Sequence, residues 1–207
     1  MRRLWAVTDI TKLAAQTERS NMAVRDKNKE MIIEPKTIWI GEGSAPVSLV
    51  MFGDYQSEPC VKAHKVVKKL LEAYKGKVKF NYRHFPLTQV HQHAQKAAEA
   101  AVAAVQENKF WEMHDLLYQH HKRLGTVSLK EYAREAGVTD KNFLPKLVDS
   151  AYGWTVRADL LAGLAIGVRD VPAFFINDEP YTGKPTFDGL SAAIDDALKA
   201  SKRKKVA

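Results

Sequence analysis

With 207 residues, 45% of them apolar, the chain can form one sizeable domain with a core, or one domain carrying an insertion. No run approaches the ~18 apolar residues of a membrane span, and Thr8, Asp9, Thr11 and Lys12 interrupt the start where a signal peptide needs a continuous apolar core; as it stands, the sequence implies a cytoplasmic protein. The formal charge of +8 argues for nucleic acid only until it is located: residues 1–36 hold eight Lys/Arg against five Asp/Glu, and Lys202, Arg203, Lys204 and Lys205 end the chain, which leaves one net positive charge for residues 37–200.

Residues 1–36 are mixed and polar without a sustained period, which predicts an N-terminal extension that is partly helical or flexible. Residues 37–41 form a short β-type run, and the glycines, serine and proline of residues 41–46 make a turn. Residues 47–52 are a compact apolar run between Pro46 and Gly53, the pattern of a buried central strand. After residues 54–60 comes a helical face of Val61, His64, Val67, Leu70, Leu71 and Tyr74, ended by Gly76. Val78, Phe80 and Tyr82 then alternate with Lys79, Asn81 and Arg83 at strand spacing. Strand, turn, helix and strand make a βαβ unit.

An all-helical block follows. It comprises residues 92–105, which are alanine-rich, then 110–120, 129–136 with Ser128 as N-cap, 142–150 and 156–166. Residues 173–177 give a short strand after Pro172, residues 177–180 a turn, residues 181–182 an edge strand, and residues 187–200 a final amphipathic helix. Residues 201–207 read as a basic disordered tail. The expected fold is α/β, with the sheet domain split over residues 37–88 and 167–200 around a helical domain at residues 89–166.

Chemistry converges on Ser57-Glu58-Pro59-Cys60, where the central strand ends and a helix opens. Ser57 suits an N-cap, accepting from the N–H of Cys60. Glu58 suits the positive end of the helix dipole, and Pro59 a position that needs no N–H donor. Cys60 in the first turn would be favoured as thiolate by the free N–H groups there; a lone cysteine in a helix is more often a small core residue than a nucleophile. With one cysteine in the chain, no intrachain disulfide can form. The histidines show no metal-ligand spacing, so neither metal nor cofactor is expected.

Four separated motifs carry a resemblance. Phe52-Gly53-Asp54-Tyr55-Gln56-Ser57-Glu58-Pro59-Cys60 resembles the F-x-D-[FY]-x-C-x-x-C signature of DsbA-like thioredoxin-fold proteins. Arg83-His84-Phe85-Pro86-Leu87 is similar to the end of their next strand. His93-Ala94 with Ala97, Ala98 and Ala100, then Lys109 to Leu117, resembles their inserted helices. Gly167-Val168-Arg169-Asp170-Val171-Pro172-Ala173-Phe174-Phe175-Ile176-Asn177 resembles the run that holds their cis-proline. The likeness covers residues 37–200 and implies a thioredoxin fold with an inserted all-helical domain. It implies catalytic positions at Ser57 and Cys60, supported by Asp54, Glu58, Pro59, Val171 and Pro172. The backbone of Val171 would meet an extended substrate segment, with Arg169 and Asp170 flanking it. Asp54 could tune the thiol or accept backbone N–H groups at the strand end. His84 reads as structural, and Trp111, His114 and Leu117 as core or interface.

The departure from the family is Ser57, where the attacking cysteine would stand. Exchange needs a thiolate to attack a sulfur and a second thiol to release the mixed disulfide. A serine hydroxyl does neither, so the dithiol cycle is closed in this sequence. The expected function is thiol–disulfide exchange on protein cysteines, disabled at Ser57. The expected partners are cysteine-bearing proteins or peptides and a redox partner protein, without nucleic acid. A redox-silent peptide-binding module is the alternative, and a glutathione-using enzyme a third reading. The resemblance points to an extracytoplasmic setting, against the reading drawn from the chain's start.

Overall fold

A computed structural model describes residues 38–206. The expected extension at residues 1–36 lies outside the described residues. Five strands form one sheet in the order β1-β3-β2-β4-β5: β1 Trp39–Ile40, β2 Val47–Gly53, β3 Val78–His84, β4 Ala173–Ile176 and β5 Glu179–Tyr181. The apolar run that marked β2 in the sequence places it centrally. It pairs parallel with β3, from Val47 opposite Val78 to Gly53 opposite His84, and antiparallel with β4, from Leu49 opposite Ile176 to Phe52 opposite Ala173. Val47, Leu49 and Met51 are buried on one face and Phe52 on the other, so the sheet is covered on both sides.

Seven helices complete the described chain: α1 Glu58–Ala73, α2 Ala94–Val105, α3 Phe110–Gln119, α4 Thr126–Glu135, α5 Phe143–Val148, α6 Gly153–Ala165 and α7 Phe187–Val206. Helix α1 turns Cys60, Val61, Ala63, Val67 and Leu70 inward. Helix α2 buries nearly all its residues; its alanines let α3, α4, α5 and α6 pack around it. Helix α6 lies against the opposite sheet face, where Gly163 permits the approach. A Cβ there would come within 2.9 Å of the Phe52 ring and 3.0 Å of the Phe85 ring. The Tyr74 hydroxyl ties α1 to α7 by donating to the Ser191 carbonyl and the Asp195 carboxylate.

Three sequence expectations are corrected. Ser128 lies inside α4, whose N-cap is Gly125; the apolar period locates the buried face but not the first turn, where three residues precede Leu129. The turn between β4 and β5 is only Asn177-Asp178, both at positive φ (50° and 68°), the two-residue hairpin geometry that Asn and Asp tolerate. Pro180 therefore belongs to β5, an edge strand, where its missing N–H does no harm. Residues 201–206 continue α7 instead of forming a disordered tail. Lysine and arginine are good helix formers and stand where the helix dipole favours cations.

Candidate functional site

The expected site residues meet at the C-terminal end of β2. Asp54 leaves the strand, Ser57 precedes α1 in an extended conformation, and Glu58 opens the helix. The pairing of Phe52 with Ala173 brings the chain before β4 to the same edge, and there the Val171–Pro172 peptide bond is cis. Thus Asp54, Ser57, Glu58, Pro59, Cys60, Val171 and Pro172 share one end of the sheet.

Ser57 is only 4% exposed. Its carbonyl accepts the Val61 N–H at 3.0 Å, but its side chain makes no cap bond. The hydroxyl acts on the Cys60 thiol instead, as a hydrogen-bond donor that favours its anion. Cys60 is fully buried, and burial pushes its thiol up from 9.0 to about 11. The hydrogen bonds from Ser57 and the Asp54 backbone pull the other way, while the charges of Asp54 and Asp170 raise it further. The expected thiolate at the helix start is therefore corrected: desolvation outweighs the dipole, and the group is a thiol near neutral pH.

Asp54 is buried and organises the turn. Its Oδ1 accepts the Gln56 N–H at 2.7 Å; its Oδ2 accepts the Leu87 N–H at 2.8 Å and pairs with His91 Nδ1 at 2.8 Å. Both roles read for it from sequence are present, since it satisfies strand-end N–H groups and its charge acts on the thiol. Gln56 Oε1 accepts the His93 N–H at 2.7 Å, so three hydrogen bonds staple the segment after β3 to the reactive turn. Glu58 and Pro59 are exposed, and Glu58 reaches His121 Nε2 at 3.0 Å. At the cis-proline the Val171 N–H donates to the Asp170 carboxylate at 2.8 Å. Arg169 donates to the Leu164 and Val168 carbonyls and closes the C-terminus of α6.

Behind the turn lies a buried aromatic floor. The Tyr55 hydroxyl meets His114 Nδ1 at 2.9 Å, and Tyr118 donates to the Tyr82 hydroxyl at 2.9 Å. Burial raises all three phenols and lowers His114, so the floor is uncharged. A β-carbon at Gly53 would sit 2.7 Å from Tyr82, which keeps that position small. His64 stacks on Tyr118 and pairs with Asp115 at 3.2 Å, which also holds Lys68. A cavity of about 370 Å³ opens between α1 and α3, lined by Val61, His64, Lys65, Asp115 and His121. Among the described residues no cluster of three or more His, Cys, Asp or Glu could hold a metal.

Sequence reasoning missed the partners of the turn. Gln56 stands at an unspecified position of the signature, and His91 and His121 belong to no motif and show no metal-ligand spacing. Their signal is spatial, since His91 lies 37 residues from Asp54 and His121 63 residues from Glu58.

Comparison with known proteins agrees with this geometry. Over 162 aligned residues, 78% of this chain, it is 36% identical to the Na(+)/H(+) antiporter NhaA 3 of Salinispora tropica, of which the alignment covers 25%. The chain spans about a quarter of the length of the curated relatives it matches. The crystal structure of oxidised BdbD from Bacillus subtilis superposes with a TM-score of 0.73 at 21% identity, over 80% of this chain and 95% of that one. The thiol-disulfide exchange protein alpha-DsbA2 from Wolbachia pipientis gives 0.68 at 22% identity, over 86% and 97%. These likenesses establish the fold. The family model described as Thioredoxin matches residues 34–196, and on that match, with the sheet order and the reactive turn in place, the chain belongs to the thioredoxin family.

Proposed function

We propose that this chain is a disulfide-exchange domain of the DsbA-like class whose dithiol cycle is blocked at Ser57. The observation that carries the reading is the Ser57-Glu58-Pro59-Cys60 turn at the end of the central strand, beside a cis-proline and with a buried thiol behind it. In an exchange cycle the residue at position 57 would attack and Cys60 would resolve. A hydroxyl at 57 stays protonated and makes no stable bond to sulfur, so neither half of the cycle runs. The fold likeness to a named thiol-disulfide exchange protein supports the lineage. The substrates would be extended polypeptides carrying cysteines, and the setting outside the cytoplasm, where such chemistry persists. No helix among the described residues is long and apolar enough to cross a membrane, and ion transport is not proposed for them.

The near-complete burial of Ser57 and Cys60 favours a second reading, a redox-silent polypeptide-binding module. The glutathione reading is weaker, because the Ser57 hydroxyl is engaged by Cys60. The test is dithiothreitol-dependent insulin reduction by the parent and by Ser57→Cys. Activity in Ser57→Cys alone supports a blocked exchange site. Two folded but inactive proteins, with retained binding of a reduced unfolded chain, would replace that reading with the binding module.

A further inference from the structure

Helices α1 and α3 leave a second opening where they meet the sheet. Between them, β1 and β3 lies a cavity of about 220 Å³, apolar where the one beside the reactive turn is polar. Each wall follows from its element. Val67 and Leu71, four apart on α1, supply an aliphatic side that Ile40 of β1 continues. Phe80 of β3 with Trp111 and His114 of α3 supplies an aromatic side. The Phe80 and Trp111 ring centroids are 5.7 Å apart, and those of Trp111 and His114 5.2 Å apart in an edge arrangement. Trp111 is half-buried, so that wall is reached from outside. An apolar cavity of about 150 Å³ holds one benzene ring; this one has room for two fused rings.

One polar atom in this wall is unspent. His114 is 1% exposed and lines the cavity. Its Nδ1 meets the Tyr55 hydroxyl, and its Nε2 has no partner among the described residues. Burial, with the His64 charge adding to it, lowers His114 well below 6.5, so the ring is neutral. Nε2 therefore offers one neutral donor or acceptor, according to the tautomer. The charges at the rim do not call for an ion. Lys68 pairs with Asp115 at 2.6 Å, His64 Nε2 lies 3.2 Å from the same carboxylate, and Glu72 is exposed. An anion would meet Glu72 and leave water for apolar walls. A cation would give up its hydration for an exposed carboxylate that returns little. A neutral molecule bears neither cost, and one hydroxyl on it recovers the hydrogen bond that Nε2 lacks.

We propose that this cavity is a binding site for a neutral aromatic molecule of two fused rings carrying one hydroxyl, its rings between the α1 and α3 walls and its hydroxyl on His114 Nε2. A hydroxyl suits either tautomer, since it donates to a bare ring nitrogen and accepts from a protonated one. The proposal is independent of the exchange reading, because no residue of the Ser57–Cys60 turn lines the cavity. Its link to that turn is the His114–Tyr55 hydrogen bond, and Tyr55 stands between Asp54 and Gln56.

The full chain is titrated with 2-naphthol, whose own fluorescence reports binding, and naphthalene, 2-naphthoate and 2-naphthylmethylammonium are measured by competition. The parent is expected to bind 2-naphthol with a Kd of about 0.1 mM. Naphthalene should bind about fivefold more weakly, and the two ions weaker than 2-naphthol by at least about tenfold. Leu71→Trp, at a half-buried position on the aliphatic wall, fills the space and should abolish binding. His114→Phe keeps the aromatic wall and should bring 2-naphthol down to the affinity of naphthalene while leaving naphthalene unchanged; a general loss of packing would weaken both alike. Cooperative urea unfolding checks that each variant folds, and Leu71→Trp decides the matter by itself should His114→Phe fail to fold. Absence of binding by the parent overturns the proposal. So does equal affinity for 2-naphthol and naphthalene, tighter binding of either ion, or binding that Leu71→Trp leaves intact, which would place the ligand elsewhere on the chain. Insulin reduction by the Ser57→Cys chain is read separately, so failure of the exchange reading leaves this result standing.

Discussion

A thiol in the first turn of a helix is pulled two ways, and at Cys60 the pulls can be ranked. The Ser57 and Asp54 hydrogen bonds favour the anion, yet full burial leaves the group at about 11. Compared with 9.0 for an unburied thiol, the thiolate fraction in the folded chain is about a hundredfold lower at mildly alkaline pH. Alkylation of Cys60 by iodoacetamide is therefore expected to be slower by at least that factor in the native chain than in urea; equal rates would contradict the burial. The raised value also has a stability consequence, since this thiol's contribution is complete below pH 9 and lost as the pH rises through 11. Asp54 carries the opposite lesson, because its carboxylate is buried but fully engaged. Asp54→Ala would leave the Gln56 and Leu87 N–H groups and His91 without their acceptor. The expected loss is about 2–4 kcal/mol, read as a lower urea midpoint at unchanged slope. Asp54→Asn keeps an acceptor and should lose less.

At the scale of elements, α6 is where sequence and structure part most clearly. Its apolar residues announce a helix but not an orientation, because a helix apolar all round has no preferred face. Gly163 resolves the orientation by close approach, a property invisible in a period count. Gly163→Ala would gain about 1 kcal/mol in helix propensity and lose about 1–3 kcal/mol to overpacking against Phe52 and Phe85. The expected net result is destabilisation, checked by thermal unfolding; a raised midpoint would mean that the two rings give way. By contrast β2, β3 and α1 were legible, because their alternation and their three-four spacing each name a single buried face. Cross-element ties were not legible. Lys96 leaves α2 to donate to the Leu147 and Val148 carbonyls and to Ser150 Oγ at the end of α5, and nothing local distinguishes that lysine from an exposed one. The reactive turn was readable as a motif, whereas the burial that sets its chemistry arises from α3 and the aromatic floor, and from contacts distant in sequence.

For the molecule as a whole, the junction of β3 with α6 makes two opposed contributions to the response to acid. His84 is fully buried, neither ring nitrogen has a partner, and burial, with the Arg83 charge adding to it, lowers it to about 3 from 6.5. One residue earlier in the chain, Arg83 Nε lies 2.7 Å from Asp159 Oδ1, an ion pair whose N–H is poorly aligned, and the His84 N–H donates to Oδ2 at 3.0 Å. Burial wins at Asp159 as well and raises it to about 6 from 3.8, against the pull of Arg83. The signs oppose each other. As the pH falls below 6.5 the unfolded chain binds a proton at His84 that the folded chain refuses until about 3, so stability is lost. Below about 6 the folded chain binds a proton at Asp159 that the unfolded chain refuses until 3.8, so stability is gained. Each slope is about 1.4 kcal/mol per pH unit. Between pH 6 and pH 3.8 the two contributions cancel, and substituting either residue exposes the other. Relative to the parent, Asp159→Asn should lose about 3 kcal/mol as the pH drops across that window. His84→Phe, which fits the aromatic surroundings of Tyr55, Tyr82 and Phe110, should gain by a similar amount. Urea unfolding of the three proteins across the window reads both differences directly. Parallel profiles would mean that His84 and Asp159 titrate alike in the folded and unfolded chain, and that the buried junction does not contribute to the acid response.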